Sequence, residues 1–271
     1  KFFILIIMDI KKREKKKAVK EKTKTPKKTK TEKKVSRTPQ RVSSGVKNFD
    51  SLIEGGYEEK SINLIVGSSG SGKTIFAVQF LIDGLKKGEN CLYITFEEKR
   101  QEFYENMLDF GWDLAKLEQQ GKFVFLEYTP EKVNTMLEEG GGNIETIVLK
   151  KKINRIVIDS ITSFELLFEE ELEKREAALA LFDMLRKWGC TALLTYESEP
   201  FKDKKTTSHP LEFEADSIIL LYFARTGKER ERYIEVLKMR GTKHSTRIYP
   251  FDINKSGVAI SKNPFSGKVD E

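Results

Sequence analysis

The sequence predicts an α/β protein with a mainly parallel central sheet, helices flanking it and an antiparallel extension toward the C-terminal end. Three observations carry this. Apolar strand-like runs alternate with helix-like stretches from Ser61 to Leu221, the pattern of strands joined by crossover helices. Gly67-Ser68-Ser69-Gly70-Ser71-Gly72-Lys73-Thr74 fits G-x-x-x-x-G-K-[ST] and joins a strand to a helix. Arg232 to Met239 and Thr246 to Ile253 are late β-rich runs that read as an antiparallel pair.

The elements follow in order. Leu52-Ile53 before Gly55-Gly56 suggests a short helix with a glycine cap. Ser61 to Val66 reads as a buried strand and Ile75 to Ile82 as an apolar-rich helix. Cys91 to Phe96 is a strand, Gln101 to Phe110 a helix, and Phe123 to Leu126 a strand. Val133 to Glu139 and Ile144 to Lys152 are helical, separated by Gly140-Gly141-Gly142. Arg155 to Ile158 is a strand, Glu169 to Trp188 a long amphipathic helix, and Thr191 to Thr195 and Ser217 to Leu221 are strands. Ligands of such sheets bind at the carboxyl ends of the strands.

Charge divides the chain. Residues 1–40 hold 16 Lys/Arg and 4 Asp/Glu, while the rest of the 271 residues hold 33 and 38. The body is therefore mildly acidic, which weighs against a nucleic-acid grip by the folded part. The Lys/Thr-rich stretch 11–34 has too few apolar groups to fold alone. It reads either as a solvated arm or as an electrostatic contact for nucleic acid or an acidic partner. The expected organisation is a disordered tail over 1–40, one domain over 41–265 and a short tail over 266–271. Residues 1–7 read as foreign to the natural protein, because Met8 opens a more ordinary start. The apolar run Phe2 to Met8 is too short to span a bilayer, so no membrane contact is expected. Cys91 and Cys190 lie in apolar runs with no metal-binding spacing, as buried free thiols of a cytoplasmic protein would.

The loop at 67–74 carries the chemistry. Its glycines let successive backbone N–H groups curl around a phosphate. Lys73 supplies a cation to the terminal phosphates, and the Thr74 hydroxyl suits Mg²⁺. The helix that follows offers its N-terminus to the anion, with Ile75 in its first turn. Asp159 ends an apolar strand, the position of a carboxylate that holds Mg²⁺ through water, and Ser160 beside it can assist. Glu97 and Glu98 end another strand. They read as a carboxylate pair able to deprotonate an attacking water, or as a solvated surface pair. Lys238 and Arg240 share one face of an extended strand, suited to a triphosphate's charge or to a basic edge.

Five stretches occur together in this order: Gly67 to Thr74, Tyr93-Ile94-Thr95-Phe96-Glu97-Glu98, Phe110 to Leu117, Ile156-Val157-Ile158-Asp159-Ser160, and Lys238-Met239-Arg240-Gly241-Thr242-Lys243-His244. Taken together they resemble the KaiC family of RecA-like P-loop ATPases, from about Arg41 to Lys262. The resemblance implies a RecA-type core in a ring, typically a hexamer, with ATP and Mg²⁺ between subunits. It implies that Glu97 and Glu98 are catalytic with Lys73, and that Lys238, Arg240 and His244 reach the neighbouring subunit's nucleotide. Met239 and Thr242 belong to the same implied nucleotide-binding stretch. The family's clock proteins carry two such domains and a phosphorylated Ser/Thr pair in the second. Thr206-Thr207-Ser208 does not align to that pair, so neither a clock role nor autokinase activity is implied. The resemblance therefore points to a regulatory ATPase. A RecA/RadA-like DNA recombination or repair ATPase, and a low-turnover ATP-dependent partner-binding switch, stand as alternatives.

Overall fold

A computed structural model describes residues 40–129, 132, 142–166, 168–198 and 210–266. The expected tail over 1–39, the helix Val133 to Glu139, the Thr206-Thr207-Ser208 stretch, His209 and residues 267–271 lie outside these.

A two-residue ribbon pairs β1 (Arg41–Val42) with β2 (Tyr57–Glu58). Between them the expected short helix is a single 3-10 turn, Asp50–Leu52, closed by Gly55 N–H on the Asp50 carbonyl. The main sheet has nine strands in the order β11-β10-β9-β8-β3-β7-β6-β4-β5. Its centre is β3 (Ile62–Gly67), buried at every residue, which explains its near-continuous apolar sequence. On one side β3 pairs in parallel with β7 (Thr191–Glu197), then β6 (Ile153–Asp159), β4 (Asn90–Thr95) and β5 (Phe123–Glu127) follow in parallel. On the other side β3 pairs in parallel with β8 (Ser217–Thr226), and β9 (Glu229–Met239), β10 (Tyr249–Asn254) and β11 (Gly257–Ile260) add on antiparallel to their neighbours. The expected α/β class, parallel sheet and antiparallel extension are therefore present.

Helix α1 (Lys73–Lys86) crosses one face, touching β3, β4, β6, β7 and β11. Phe76, Ala77, Phe80 and Leu81 on it are buried in the core. Helices α2 (Arg100–Leu108), α4 (Gly142–Lys151) and α6 (Glu171–Trp188) match expected helices. Gly189 closes α6 in the left-handed conformation at φ 67°, a natural place for glycine. Gly142, expected in a spacer, instead opens α4. Helices α3 (Leu114–Gln119), α5 (Ile161–Glu165) and α7 (Pro210–Glu214) were not expected, because five or six residues are too few to show a helical period.

The long hairpin is the larger surprise. The sequence ends the strand after Ser217 at Leu221, yet β8 runs to Thr226 and turns through Gly227-Lys228 into β9. The expected partnership of β9 with β10 is also present, with Tyr249 opposite Ile234.

Arg155, near the start of β6, is the most deeply buried charged side chain among the described residues, only 1% exposed. Its guanidinium contacts Glu89 through Nε at 2.5 Å and Nη2 at 3.1 Å, and Asp83 lies 3.1 Å from Nη1. Nη1 also donates to the Ser43 and Phe80 carbonyls, and the guanidinium stacks 4.7 Å from the Phe80 ring centroid. Gly84 makes room for it, since a Cβ there would meet Arg155 Nε at 2.6 Å.

Candidate active site

The parallel strands deliver their carboxyl ends to one edge. There β3 runs into the loop at 67–74. Gly72 has φ 96°, and its role as N-cap without a side-chain cap leaves the first amides of α1 facing outward. Gly67 lies tight against β8, where a Cβ would sit 2.4 Å from the Leu221 carbonyl oxygen. Ser68 is half-buried, Ser69 and Gly70 are exposed, and Ile75 packs against the core. The Ser71 hydroxyl is buried with no hydrogen-bond partner.

Lys73 turns its ammonium back onto the Gly67 and Ser68 carbonyls, each at 2.9 Å. Burial lowers its proton affinity, while the charges of Glu197, Asp159 and Glu97 raise it again. Thr74 Oγ1 donates to Asp159 Oδ2 at 2.7 Å, so a loop residue and the end of β6 meet directly. Tyr93 on β4 donates to the same oxygen at 2.7 Å, and Thr195 on β7 donates to Oδ1.

Glu97 and Glu98 follow β4, and their backbone N–H groups share the Thr95 hydroxyl as acceptor. Glu97 Oε1 accepts from Ser160 at 2.8 Å and from Ser163 on α5. Ser160 thus serves the carboxylate rather than bonding Asp159. Glu98 is half-buried, and its Oε2 is buried without a partner. Burial first, then the charges of Asp159 and Glu97, raise its proton affinity. A carboxylate so disposed takes a proton more readily than an ordinary glutamate.

The expected residues fall into two groups. Gly67 to Ile75, Asp159, Glu97 and Glu98 are assembled at one edge. Lys238, Met239, Arg240, Thr242 and His244 form a second group at and beyond the end of β9. Lys238 and Arg240 do share a face: both donate to the Phe213 carbonyl at the end of α7, and Lys238 also to that of Ala215 at 2.8 Å. Arg240 lies 3.7 Å from Asp216. Met239 packs against the core, Thr242 accepts from Arg41 at 2.7 Å, and His244 Nδ1 lies 2.9 Å from the Ser245 carbonyl. Lys238 and Arg240 thus reach the end of α7, Thr242 meets Arg41 of β1, and His244 meets its neighbour Ser245.

The sequence reading missed Tyr93, Thr195, Ser163 and Glu197, all at or near strand carboxyl ends. Glu197 ends β7 as Asp159 ends β6, so its position was a usable signal. It also missed Arg232, whose Nε and Nη2 donate to the Gly70 carbonyl at 3.2 and 3.1 Å across the Phe223 ring. The Phe110 to Leu117 stretch has a packing role. Phe110 stacks on Trp112 at 5.0 Å, and Asp113 caps α3 by accepting from Lys116 N–H at 2.9 Å.

These residues suit a nucleotide with a divalent cation. The loop offers a glycine-lined cradle, a cation and an orphaned buried hydroxyl. Thr74 and Asp159 give one hydroxyl and one carboxylate, the sparse protein ligand set of Mg²⁺ held together with phosphates. Among the described residues no group of three His, Cys, Asp or Glu forms a self-sufficient metal site.

Sheet order, loop and carboxylates define a RecA-like P-loop nucleotide-binding domain. The chain belongs to the KaiC ATPase family: the family model described as "ATPase: KaiC" matches residues 42–264. The circadian clock protein KaiC3 of Synechocystis is 34% identical over 82% of this chain, which spans only 45% of that relative. A UPF0273 protein of Thermotoga maritima is 33% identical and is matched over 96% of its length. The crystal structure of a KaiC-like protein from the archaeon Pyrococcus horikoshii OT3 superposes with a TM-score of 0.74. It shares 37% identity, and the match covers 82% of this chain and 99% of that one. The resemblance carried by the five motifs is borne out.

Proposed function

We propose that the chain binds ATP with Mg²⁺ and hydrolyses it, as a KaiC-like regulatory ATPase whose sites are shared between subunits of a ring. The observation that carries this reading is the direct bond from Thr74 to Asp159, with Lys73 and two carboxylates gathered around it. Thr74 and Asp159 would hold Mg²⁺. The loop from Gly67 to Ile75 would hold the phosphates. Glu97 and Glu98 would orient the attacking water and take its proton. When bound, the cation would neutralise charge developing on the phosphates.

The second group supports the shared site. Lys238 and Arg240 are anchored on carbonyls away from their own loop, as residues serving a neighbour's nucleotide would be. A ring, with six subunits as the expected number, gives Lys238, Arg240, Met239, Thr242 and His244 a nucleotide to reach. The buried free thiols Cys91 and Cys190 agree with a reducing, cytoplasmic setting. Among the described residues, no helix is long and apolar enough to cross a membrane. The basic residues 11–34 would serve as the contact for an acidic partner or nucleic acid.

The test is phosphate release by the purified chain with ATP and Mg²⁺, alongside its mass in solution. Turnover that needs Mg²⁺ and rises with assembly supports the reading. No turnover in an assembled, ATP-loaded protein favours the partner-binding switch. Stimulation by DNA that vanishes when residues 11–34 are removed favours the recombination-type alternative.

A further inference from the structure

We propose that Tyr93 is a positioning residue, whose phenol fixes the Asp159 carboxylate in the orientation that retains the divalent cation. The inference rests on the reading of Asp159 as the protein's ligand to that cation. Tyr93 is fully buried on β4, the strand beside β6. Thr95, not Tyr93, stands directly opposite Asp159 in the register. Tyr93 reaches diagonally from two residues below, a span within the reach of an aromatic side chain.

The ring cannot easily leave. It stacks on Phe103 of α2 at 4.4 Å and on Phe125 of β5 at 5.5 Å. A phenylalanine would fill that aromatic stack equally well. What tyrosine adds is a hydroxyl in an apolar setting, where an unpaired polar group is costly. It is spent on Asp159 Oδ2 at 2.7 Å. The phenol O–H donates and the carboxylate oxygen accepts.

Two hydroxyls share that oxygen, and their fates differ. Thr74 is itself suited to the cation, so its bond to Asp159 is the one exchanged when a cation arrives. Tyr93 on Oδ2 and Thr195 on Oδ1 then remain, one donor to each oxygen. Two donors from opposite neighbouring strands set the plane of the carboxylate. Removing such an outer partner of a metal ligand costs about 10–100-fold in metal affinity.

The test uses the full chain, Mn²⁺ as the probe and a non-hydrolysable ATP analogue, with free Mn²⁺ read by electron paramagnetic resonance. Tyr93→Phe is expected to raise the half-saturating Mn²⁺ about tenfold or more. Its thermal midpoint and its affinity for the analogue in EDTA should stay at the parent values. Thr195→Val should shift Mn²⁺ in the same direction. Parent-like Mn²⁺ binding by Tyr93→Phe overturns the proposal. So does an equal loss of affinity for the metal-free analogue, which would mean that the hydroxyl shapes the pocket generally. Failure of the parent chain itself to hold Mn²⁺ with the analogue would instead overturn the underlying reading of Asp159.

Discussion

The Gly67 carbonyl accepts from the Lys73 ammonium at 2.9 Å, so the loop's cation is tied to the loop's own first residue. The ammonium is buried there near the charges of Glu197, Asp159 and Glu97, at the mouth of the glycine-lined loop. Lys73→Ala should therefore reduce ATP turnover by about 10²–10³-fold, the usual loss when one donor to a developing charge is removed. Steady-state phosphate release gives the answer, with circular dichroism to verify the fold. Turnover within a fewfold of the parent would refute the role of this loop. Lys73→Arg should fail too, because a planar fork cannot replace a compact ammonium here.

Glu98 makes a prediction with a definite sign. Its proton affinity in the folded chain is raised above the ordinary value of 4.5. Between those two values the folded chain binds more protons than the unfolded chain, so stability falls as pH rises through the window. Above the window the charged carboxylate is a net cost to the fold. Glu98→Gln should therefore melt at a higher temperature than the parent at pH 7 and lose that advantage below pH 4.5. Its ATP turnover at pH 7 should fall. A lower melting temperature at pH 7, or unchanged turnover, would contradict this account.

Arg155 yields a stability prediction clear of the chemistry. It lies at the opposite end of β6 from Asp159. Arg155→Ala leaves Glu89 and Asp83 without their buried partner. Breaking such a pair costs about 3–5 kcal/mol. For a chain of this size that is a drop of roughly 6–20 °C in thermal midpoint. Differential scanning calorimetry checks it, and turnover per folded molecule should stay near the parent value. A shift under a degree or two would show that the network contributes little.

What the sequence revealed and hid follows from how each residue works. The strands at 61–66, 91–96 and 155–158 were legible because both faces are buried and nearly every residue is apolar. Asp159 was legible from its place at a strand end. Tyr93 was not, because a tyrosine in an apolar run looks like core until its hydroxyl is traced to a carboxylate on the next strand. Arg155 also broke pattern, since a charge at a strand start ordinarily faces water rather than two acids beneath a helix. The continuation of β8 through Tyr222-Phe223 was itself strand-like, and only its last residues Arg225-Thr226 are polar, gaining strand geometry from pairing with Glu229-Arg230. Lys238 and Arg240 both reach the Phe213 carbonyl, in keeping with a shared face, but a sequence cannot say what that face meets.

That last point has its own test. If the two groups of residues act across an interface, each subunit supplies half of every site. On that reading, Glu97→Gln with Glu98→Gln removes the water-activating half and leaves Lys238 and Arg240 intact. Arg240→Ala removes a cation and leaves the carboxylates intact. Each variant alone should be nearly inactive. In a randomly mixed ring, some interfaces pair intact carboxylates with an intact Arg240, so mixing should restore measurable ATP turnover. The measurement is phosphate release against mixing ratio, with subunit exchange verified by mass spectrometry of differently tagged chains. Recovery that peaks at intermediate ratios supports a shared site. Verified mixed assemblies with no recovery would mean that Arg240 works within its own subunit or stays bound to Phe213.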